Sequence, residues 1–281
     1  MVVLSDGGVR LPRLSGQVTR EKVNVDLTMC GLLVERAEEL ARLYNEHGNW
    51  NDVKQVWFEE RISNRSTRGS SQKIYRILTS RFKNAPASLP NPSDLPEILD
   101  SCTTVREKAQ VLYLYLVADD ALVRYAVHEY VDRMVSGHED PLDFSNEILM
   151  DILSSLEFED GTSFDYADST TRRWCEGFRS VMREIGVLES QQKVVGTPPT
   201  LDDVPLLVAT GYSYEEGDDG WTETPTGLLY LFQPKERWDE LYDRAAGTDF
   251  WGFVELHSDL RLQPTDGPYS WVTSGSGGGP S

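Results

Sequence analysis

The stretch that decides the fold is residues 104–118, which read TVREKAQVLYLYLVA. If this stretch is a helix, apolar side chains lie on nearly every side of it. These are Val105, Ala109, Val111, Leu112, Leu114 and Leu116. A helix of this kind is surrounded by others, so we predict that it is the central helix of a bundle. Its apolar run is about half of the roughly 18 residues that a membrane-spanning helix needs. We therefore expect no membrane segment.

Amphipathic helices are predicted on both sides of this central helix, because apolar residues recur there at intervals of three and four positions. In chain order the predicted helices are 33–47, closed by Gly48; about 50–62, capped by Asn49 or Asn51; 70–84; about 94–99, capped by Ser93; 120–136, begun by Asp119-Asp120 and ended by Gly137; 148–156; and 170–185, capped by Ser169 or Thr170 and closed by Gly186. The sequence thus predicts a mainly α fold, with a helical bundle over about 27–190 behind an N-terminal arm over 1–26.

The residue pattern of the sequence changes after Gly196, where Pro198, Pro199 and Pro205 interrupt the helical periodicity. Residues 227–232 (GLLYLF) have the pattern of a short strand, and 250–256 that of another. Between them Pro234 opens a helix that carries Trp238, Leu241 and Tyr242 on one side. We predict a small acidic α+β extension over 197–268 and a disordered, Gly/Ser-rich tail over 269–281.

The charge of the chain is strongly negative but unevenly spread. The formal net charge is -19 and the isoelectric point is about 4.6, which argues against a nucleic-acid partner. Residues 55–84, however, carry seven basic and two acidic side chains, and 20 of the 27 basic residues in the chain are arginines. One hypothesis is a surface adapted to high salt, where mobile ions screen an acidic shell. The alternative is a protein that repels nucleic acid or binds a basic protein.

The first basic segment is the sharpest feature of the sequence. In the predicted third helix Ile74, Ile77, Leu78 and Phe82 gather on one side, and Lys73, Arg76, Ser80 and Lys83 gather on the other. The preceding loop, 64–71, offers hydroxyl and guanidinium donors beside a helix N-terminus, a combination that binds phosphate oxygens. Arg81 falls among the apolar residues, so we expect it to pair with a buried carboxylate. The alternative is a solvated helix face whose cations are neutralised by nearby carboxylates.

A second basic segment lies in the predicted last long helix of the bundle. Trp174, Phe178, Val181, Met182 and Ile185 form its packed stripe, while Arg172, Arg179 and Arg183 lie together on a neighbouring face. Arg179 and Arg183 repel each other at this spacing unless an anion lies between them. That anion is either a ligand or Glu176, which could reach Arg172 and Arg179 within the helix.

The sequence offers little evidence for a catalytic, metal-binding or cofactor-binding site. It contains no GxSxG, HExxH, Walker A or GxGxxG motif, and its four histidines are scattered. The three cysteines, Cys30, Cys102 and Cys175, lie far apart and are most simply core thiols. We expect a cytoplasmic, non-enzymatic protein without cofactor or metal. Two function classes remain, a nucleic-acid-binding accessory protein and a protein-interaction scaffold.

The same segments carry a resemblance to a known family. Residues 32–41 (LLVERAEELA), 48–53 (GNWNDV), 65–82, 169–172 and 178–188 resemble the BrxA family of BREX (bacteriophage exclusion) defence systems. The resemblance implies a helical domain similar to the NusB-type antitermination factors. It also implies a non-enzymatic role beside a methyltransferase, an ATPase and a phosphatase-like protein.

Family members are thought to bind nucleic acid, DNA or RNA, through a basic surface. That expectation falls on Arg61, Arg65, Arg68, Lys73, Arg76 and Lys83, with Arg172, Arg173 and Arg179 as a second choice. Six to seven phosphate contacts would make the affinity fall steeply with salt, by roughly one log unit per log unit of salt for each contact. The alternative is a scaffold that assembles other BREX components without touching nucleic acid.

Overall fold

The computed structural model describes residues 14–273, apart from residues 15, 21, 22, 24, 29, 66, 218–220 and 257–258. Before the first α-helix lies a 3₁₀ turn, Asp26–Thr28, which we call the N-terminal turn. The elements that follow are α1 (Val34–His47), α2 (Trp50–Glu59), α3 (Arg68–Lys83), α4 (Leu95–Ser101), α5 (Val105–Asp119), α6 (Ala121–Val135), α7 (Asn146–Ser154), α8 (Asp168–Glu184), α9 (Asp203–Glu216), α10 (Thr226–Tyr230), α11 (Trp238–Ala246), β1 (Trp251–Leu256), β2 (Asp259–Pro264) and α12 (Ser270–Thr273). The prediction of a mainly α fold is confirmed. No helix in these ranges is long and apolar enough to cross a membrane.

Helix α5 occupies the centre, as its uniformly apolar sequence predicts. It packs against α1, α3, α6, α8 and α9, and its side chains from Ala109 to Val117 are buried. Gln110 is buried with them, and its amide nitrogen donates to the carbonyls of Ile185 and Thr200, both at 3.0 Å. Val105 departs from the prediction, because it lies in the first turn and is 68% exposed.

Most predicted helix ends are close to those in the structure, and the exceptions are local. Asn49 rather than Asn51 caps α2, accepting from two backbone N–H groups. Ser93 does not cap α4, because the helix begins one residue later, at Leu95 after Asp94. Helix α8 begins at Asp168, so Ser169 and Thr170 lie inside its first turn. An aspartate is favourable at that position because it complements the helix dipole.

The C-terminal part contains more helix than the sequence pattern predicts. Residues 227–232 do not form a strand, since Thr226–Tyr230 is helix α10. Helix α9, with Pro205 in its first turn, was not predicted at all. The predicted helix after Pro234 and the predicted strand near 250–256 are confirmed as α11 and β1. β1 pairs antiparallel with β2, with Trp251 opposite Pro264 and Phe253 opposite Leu262.

Close packing of α9 and α10 explains the wrong strand prediction. A Cβ atom on Gly227 would lie 2.1 Å from the Ala209 carbonyl oxygen, so only glycine allows this approach. Residues 227–232 are buried on all sides, and periodicity does not separate a short buried helix from a buried strand.

One apolar core links the predicted bundle and the predicted extension. Helix α9 packs against α5, and the buried apolar residues from Val18 to Val272 form one cluster. The boundary that we place near residue 197 stays a prediction. The predicted tail departs from the structure at its start, because Trp271 and Val272 of α12 are buried. Residues 274–281 lie outside the described residues.

The described part of the N-terminal arm runs along the segment after α7. Val18 is buried and forms a parallel β-bridge with Phe158, and Arg20 pairs with Asp165. The first 13 residues of the predicted arm lie outside the described ones. The arm thus brings the N-terminal turn towards α8.

The three cysteines are free and buried, as predicted for core thiols. Burial raises the pKa of the Cys30 thiol, raises that of Cys102 to about 12, and raises that of Cys175 to about 11. At neutral pH all three are therefore held in the protonated, unreactive form.

Asp120 gives the fold a testable pH dependence. It caps α6, where its Oδ1 accepts from the N–H groups of Leu122 (3.0 Å) and Val123 (3.1 Å). Burial raises its pKa to about 6, against the opposing effect of these bonds and of Arg81. The folded protein therefore binds a proton more tightly than the unfolded chain, and the contribution of Asp120 to stability falls as the pH rises from about 4 to about 6.

We expect the Asp120→Asn variant, which keeps the accepting oxygen, to be more stable than the wild type at pH 7.5. The gain should be at most about 3 kcal/mol, and it should vanish near pH 3.5, where the wild-type carboxyl is protonated. Urea denaturation of both proteins at the two pH values measures the difference. A difference that is the same at both would show that Asp120 does not titrate in this range.

Candidate nucleic-acid interface

Helix α3 presents a basic face to solvent, as the sequence predicts. Ile74, Ile77, Leu78 and Phe82 are buried, whereas Arg68, Gln72, Arg76 and Lys83 are exposed. Thr67 caps the helix, since its hydroxyl oxygen accepts from the Ser70 N–H at 3.3 Å. The local sequence therefore fixes both the start of the helix and which side faces outwards.

The loop between α2 and α3, together with the first residue of α3, carries three exposed arginines, Arg61, Arg65 and Arg68, and we call this segment the arginine loop. Arg61 has a positive φ of 56°, and Asn64 in the same loop has one of 50°. Among the described residues, none of the three guanidinium groups has a hydrogen-bond or ion-pair partner. Ser66, which we expected among the donors, lies outside those residues.

The middle of the α3 face is neutralised by the chain itself. Arg76 Nη2 donates to both carboxylate oxygens of Asp26 in the N-terminal turn, at 3.0 and 2.9 Å. Lys73 Nζ lies 3.8 Å from the same carboxylate. Arg76 and Lys73 therefore fit the alternative interpretation, in which carboxylates of the chain itself neutralise the cations of this helix face. Their sequence positions could not reveal it, because Asp26 lies some 50 residues away.

The far end of the same face lies at an aromatic pair. The Lys83 ammonium is 5.4 Å from the centroid of the Trp50 ring. Trp50 in turn stacks on Tyr44, with ring centroids 4.2 Å apart and planes at 23°. Trp50 was not among the predicted site residues, although its position directly after the Gly48-Asn49 helix break is a signal for a partly exposed ring.

Arg81 is buried, but it does not pair with a carboxylate as we expected. Its Nη1 donates to the carbonyl of Gly31 at 3.0 Å and more weakly to that of Leu32 at 3.4 Å. Burial lowers the pKa of this guanidinium, and the nearby carboxylates of Asp120 and Asp119 oppose that effect. Arg81 therefore holds the segment before α1 in place and is not available to a ligand.

The second basic segment is split between free and engaged arginines. Arg172 and Arg173 are exposed and have no partner within the described ranges. Arg179 instead donates to Asn146 Oδ1 at 2.6 Å and to the Phe144 carbonyl at 3.4 Å. Of the two alternatives for the anion between these arginines, Glu176 makes no ion pair with any described residue.

The N-terminal turn connects the two basic segments. Helix α8 packs against it so closely that a Cβ atom on Gly177 would lie 2.2 Å from the Leu27 carbonyl oxygen. Helix α3 reaches the same turn through Asp26. Arg173 lies one helical turn before Gly177 and on the same side of α8. The start of α8, which carries Arg172 and Arg173, and the basic face of α3 therefore lie on either side of the N-terminal turn.

A cavity of about 260 Å³ lies between the start of α1, the start of α5 and the end of α8. Its lining is mostly apolar and includes Leu33, Val34, Val105 and Ala109, with the carboxylate of Glu184 at one side. Burial raises the pKa of that carboxylate. None of its lining residues belongs to the basic face, and Val105 gives it an exposed apolar rim.

Comparison with known proteins gives one finding. The family model described as BrxA matches residues 22–204. This range includes the N-terminal turn, the arginine loop and both basic helices. No curated protein matches the chain, and no solved structure does. The predicted likeness to NusB-type factors therefore stays a prediction.

Proposed function

Since the chain belongs to the BrxA family and is thus a component of a BREX phage-defence system, we propose that it binds nucleic acid, DNA in the first place, through the arginine loop and the exposed face of α3. The role is that of a non-enzymatic accessory protein in the cytoplasm. Its contribution is electrostatic positioning of the nucleic acid for the other BREX components.

The arginine loop is the observation that carries the proposal. The chain has 46 acidic side chains, yet three neighbouring arginines are left without a described partner. Other arginines are bonded within the fold, among them Arg36, Arg42, Arg76, Arg81, Arg124, Arg179 and Arg244. A guanidinium matches phosphate through paired N–H donors, so three free ones in an acidic chain favour an external polyanion.

The structure changes the number of phosphate contacts that we expect. Asp26 engages Arg76 and Lys73, so the ready cations of this face are Arg61, Arg65, Arg68 and Lys83. Four contacts to duplex DNA correspond to a salt slope of about -3.6 in log affinity against log salt concentration. Arg172 and Arg173 on α8 are a further pair that a long duplex could reach.

The test is binding of a fluorescently labelled 20-base-pair duplex, measured by anisotropy in salt from 50 to 200 mM. We expect the affinity to fall roughly 100-fold over this range, because each phosphate contact releases about one counterion. The absence of binding at 50 mM, or binding with a slope near zero, would overturn the proposal.

The scaffold function rests on a different observation. Val105 exposes 68% of its surface beside a mostly apolar cavity, and exposed apolar surface of this kind is typical of protein interfaces. The partners would be the methyltransferase, the ATPase and the phosphatase-like component. If the salt series shows no binding, this is the function that remains.

The acidity of the rest of the chain is consistent with a high-salt cytoplasm, and this stays a hypothesis. In such a solvent the electrostatic attraction to phosphates is weak. Binding would then need contacts that salt does not screen.

A further inference from the structure

We propose that Trp50, backed by Tyr44, is a stacking site for an unpaired base of single-stranded nucleic acid at the end of the α3 basic face. This inference rests on the proposed function and narrows it to a ligand with accessible bases. The cations of the basic face can bind the phosphates of a single strand or of a duplex. An aromatic ring beside that face favours a single strand, because only unpaired bases can stack on it.

The aromatic pair is held in a defined position. Gly48, in the left-handed conformation with φ of 69°, turns the chain between α1 and α2 and brings Trp50 onto Tyr44. The Trp50 carbonyl accepts from the Tyr75 hydroxyl at 2.9 Å, which ties the start of α2 to α3. The ring of Trp50 is therefore held in position beside the basic face, and only the Lys83 side chain has to move for the ring to receive a base.

Trp50 also differs from the tryptophans that only fill the core. Trp57, on the same helix, is fully buried, whereas Trp50 is half-buried and has the Lys83 ammonium over its ring. Lys83 is exposed and makes no ion pair with any described carboxylate. A cation–π contact made by a solvent-exposed ammonium is weak, so an incoming base can displace the lysine.

Displacement of Lys83 would give a site that binds one nucleotide through both its base and its phosphate. The base stacks on the indole, and the released ammonium is free to meet the adjoining phosphate. Every base has a π-face, so such a site tolerates any sequence. Bases in an intact duplex are already stacked on their neighbours and reach the ring only when unpaired.

The dimensions of α3 support a strand lying along it. Arg68 and Lys83 are 15 residues apart on the helix, which corresponds to about 22 Å. A single strand that enters at the arginine loop and follows the exposed face thus ends at Trp50. Stacking also supplies a contact that salt does not screen.

The experiment compares a labelled 12-nucleotide DNA strand with the same strand in which the bases are replaced by abasic sites. Phosphates are equal in the two, so their affinity ratio reports base contacts alone. We expect the full-length wild type to bind the intact strand about 10-fold more tightly, equivalent to about 1.4 kcal/mol. We expect Trp50→Ala to bind both strands equally, and Trp50→Phe to keep most of the preference.

Phe253→Ala is the matched control, because Phe253 is a 40% exposed aromatic on β1, outside the basic face. It should keep the wild-type ratio. An RNA strand of the same sequence should show the same preference over its abasic form, since stacking does not involve the sugar.

The outcomes separate the two proposals. Equal wild-type binding of intact and abasic strands, with the duplex salt slope unchanged, would overturn the stacking site and leave the proposed function standing. A preference that persists in Trp50→Ala, shown to be folded by circular dichroism, would also overturn it. Failure of the wild type to bind any strand or duplex would remove both proposals.

Discussion

Replacing Arg61, Arg65 and Arg68 together with glutamate should weaken duplex binding at least about 100-fold in 100 mM salt. These side chains supply three of the four ready cations, so the salt slope should fall from about -3.6 to about -1. The fold should be unaffected, because all three residues are exposed and have no described internal partner. Anisotropy with the labelled duplex and circular dichroism of the variant measure both effects.

The matched control is the triple replacement of Arg106, Lys193 and Lys235 with glutamate. These residues are also exposed, and the change takes the net charge from -19 to -25, as in the test variant. Asp26→Asn should act in the opposite direction, since it releases Arg76 and Lys73 to the ligand. If the control triple loses as much affinity as the test triple, net charge rather than the arginine loop governs binding.

Gly177→Val should be the most destabilising single substitution on α8. A Cβ atom there would lie 2.2 Å from the Leu27 carbonyl oxygen and 2.9 Å from its carbon, so the backbone of the N-terminal turn must move. We expect a loss of about 3 kcal/mol or more in the free energy of unfolding. This corresponds to a fall in melting temperature of about 6 °C or more, measurable by calorimetry.

Gly69→Ala provides the contrast for this prediction. Gly69 lies in the first turn of α3, and no atom lies within 4 Å of an added Cβ. Alanine is the better helix former by up to about 1 kcal/mol, so this variant should be unchanged or slightly more stable. A Gly177→Val protein as stable as Gly69→Ala would mean that the turn does not pack on α8 in solution.

The bundle could be predicted from the sequence where periodicity and capping agree. Residues 109–117 are buried on all sides because every side meets another helix, and Asn49 and Asp120 have the side chains that caps require. Residues 227–232 were wrongly predicted as a strand because burial on all sides removes the periodic signal. Helix α9 was not predicted, since Pro205 looks like an interruption but is tolerated in a first turn.

The candidate site was only partly accessible to sequence reasoning. The division of α3 into a packed and a basic side follows from spacing alone, and the structure has it. The pairing of Asp26 with Arg76, and the use of Arg81 to hold two carbonyls, depend on contacts about 50 residues apart. Trp50 and Lys83 meet across two helices, and no local pattern encodes that contact.

The three buried thiols make this chain a convenient background for single-site labelling. Maleimide reagents are attacked by thiolates, and burial keeps Cys30, Cys102 and Cys175 protonated and out of reach of the reagent. A cysteine introduced on the surface, for example at Gln72 on the exposed side of α3, would then be the reactive group. A fluorophore or spin label could be attached there without first removing the native cysteines, and it would report directly on whether a strand lies along the helix.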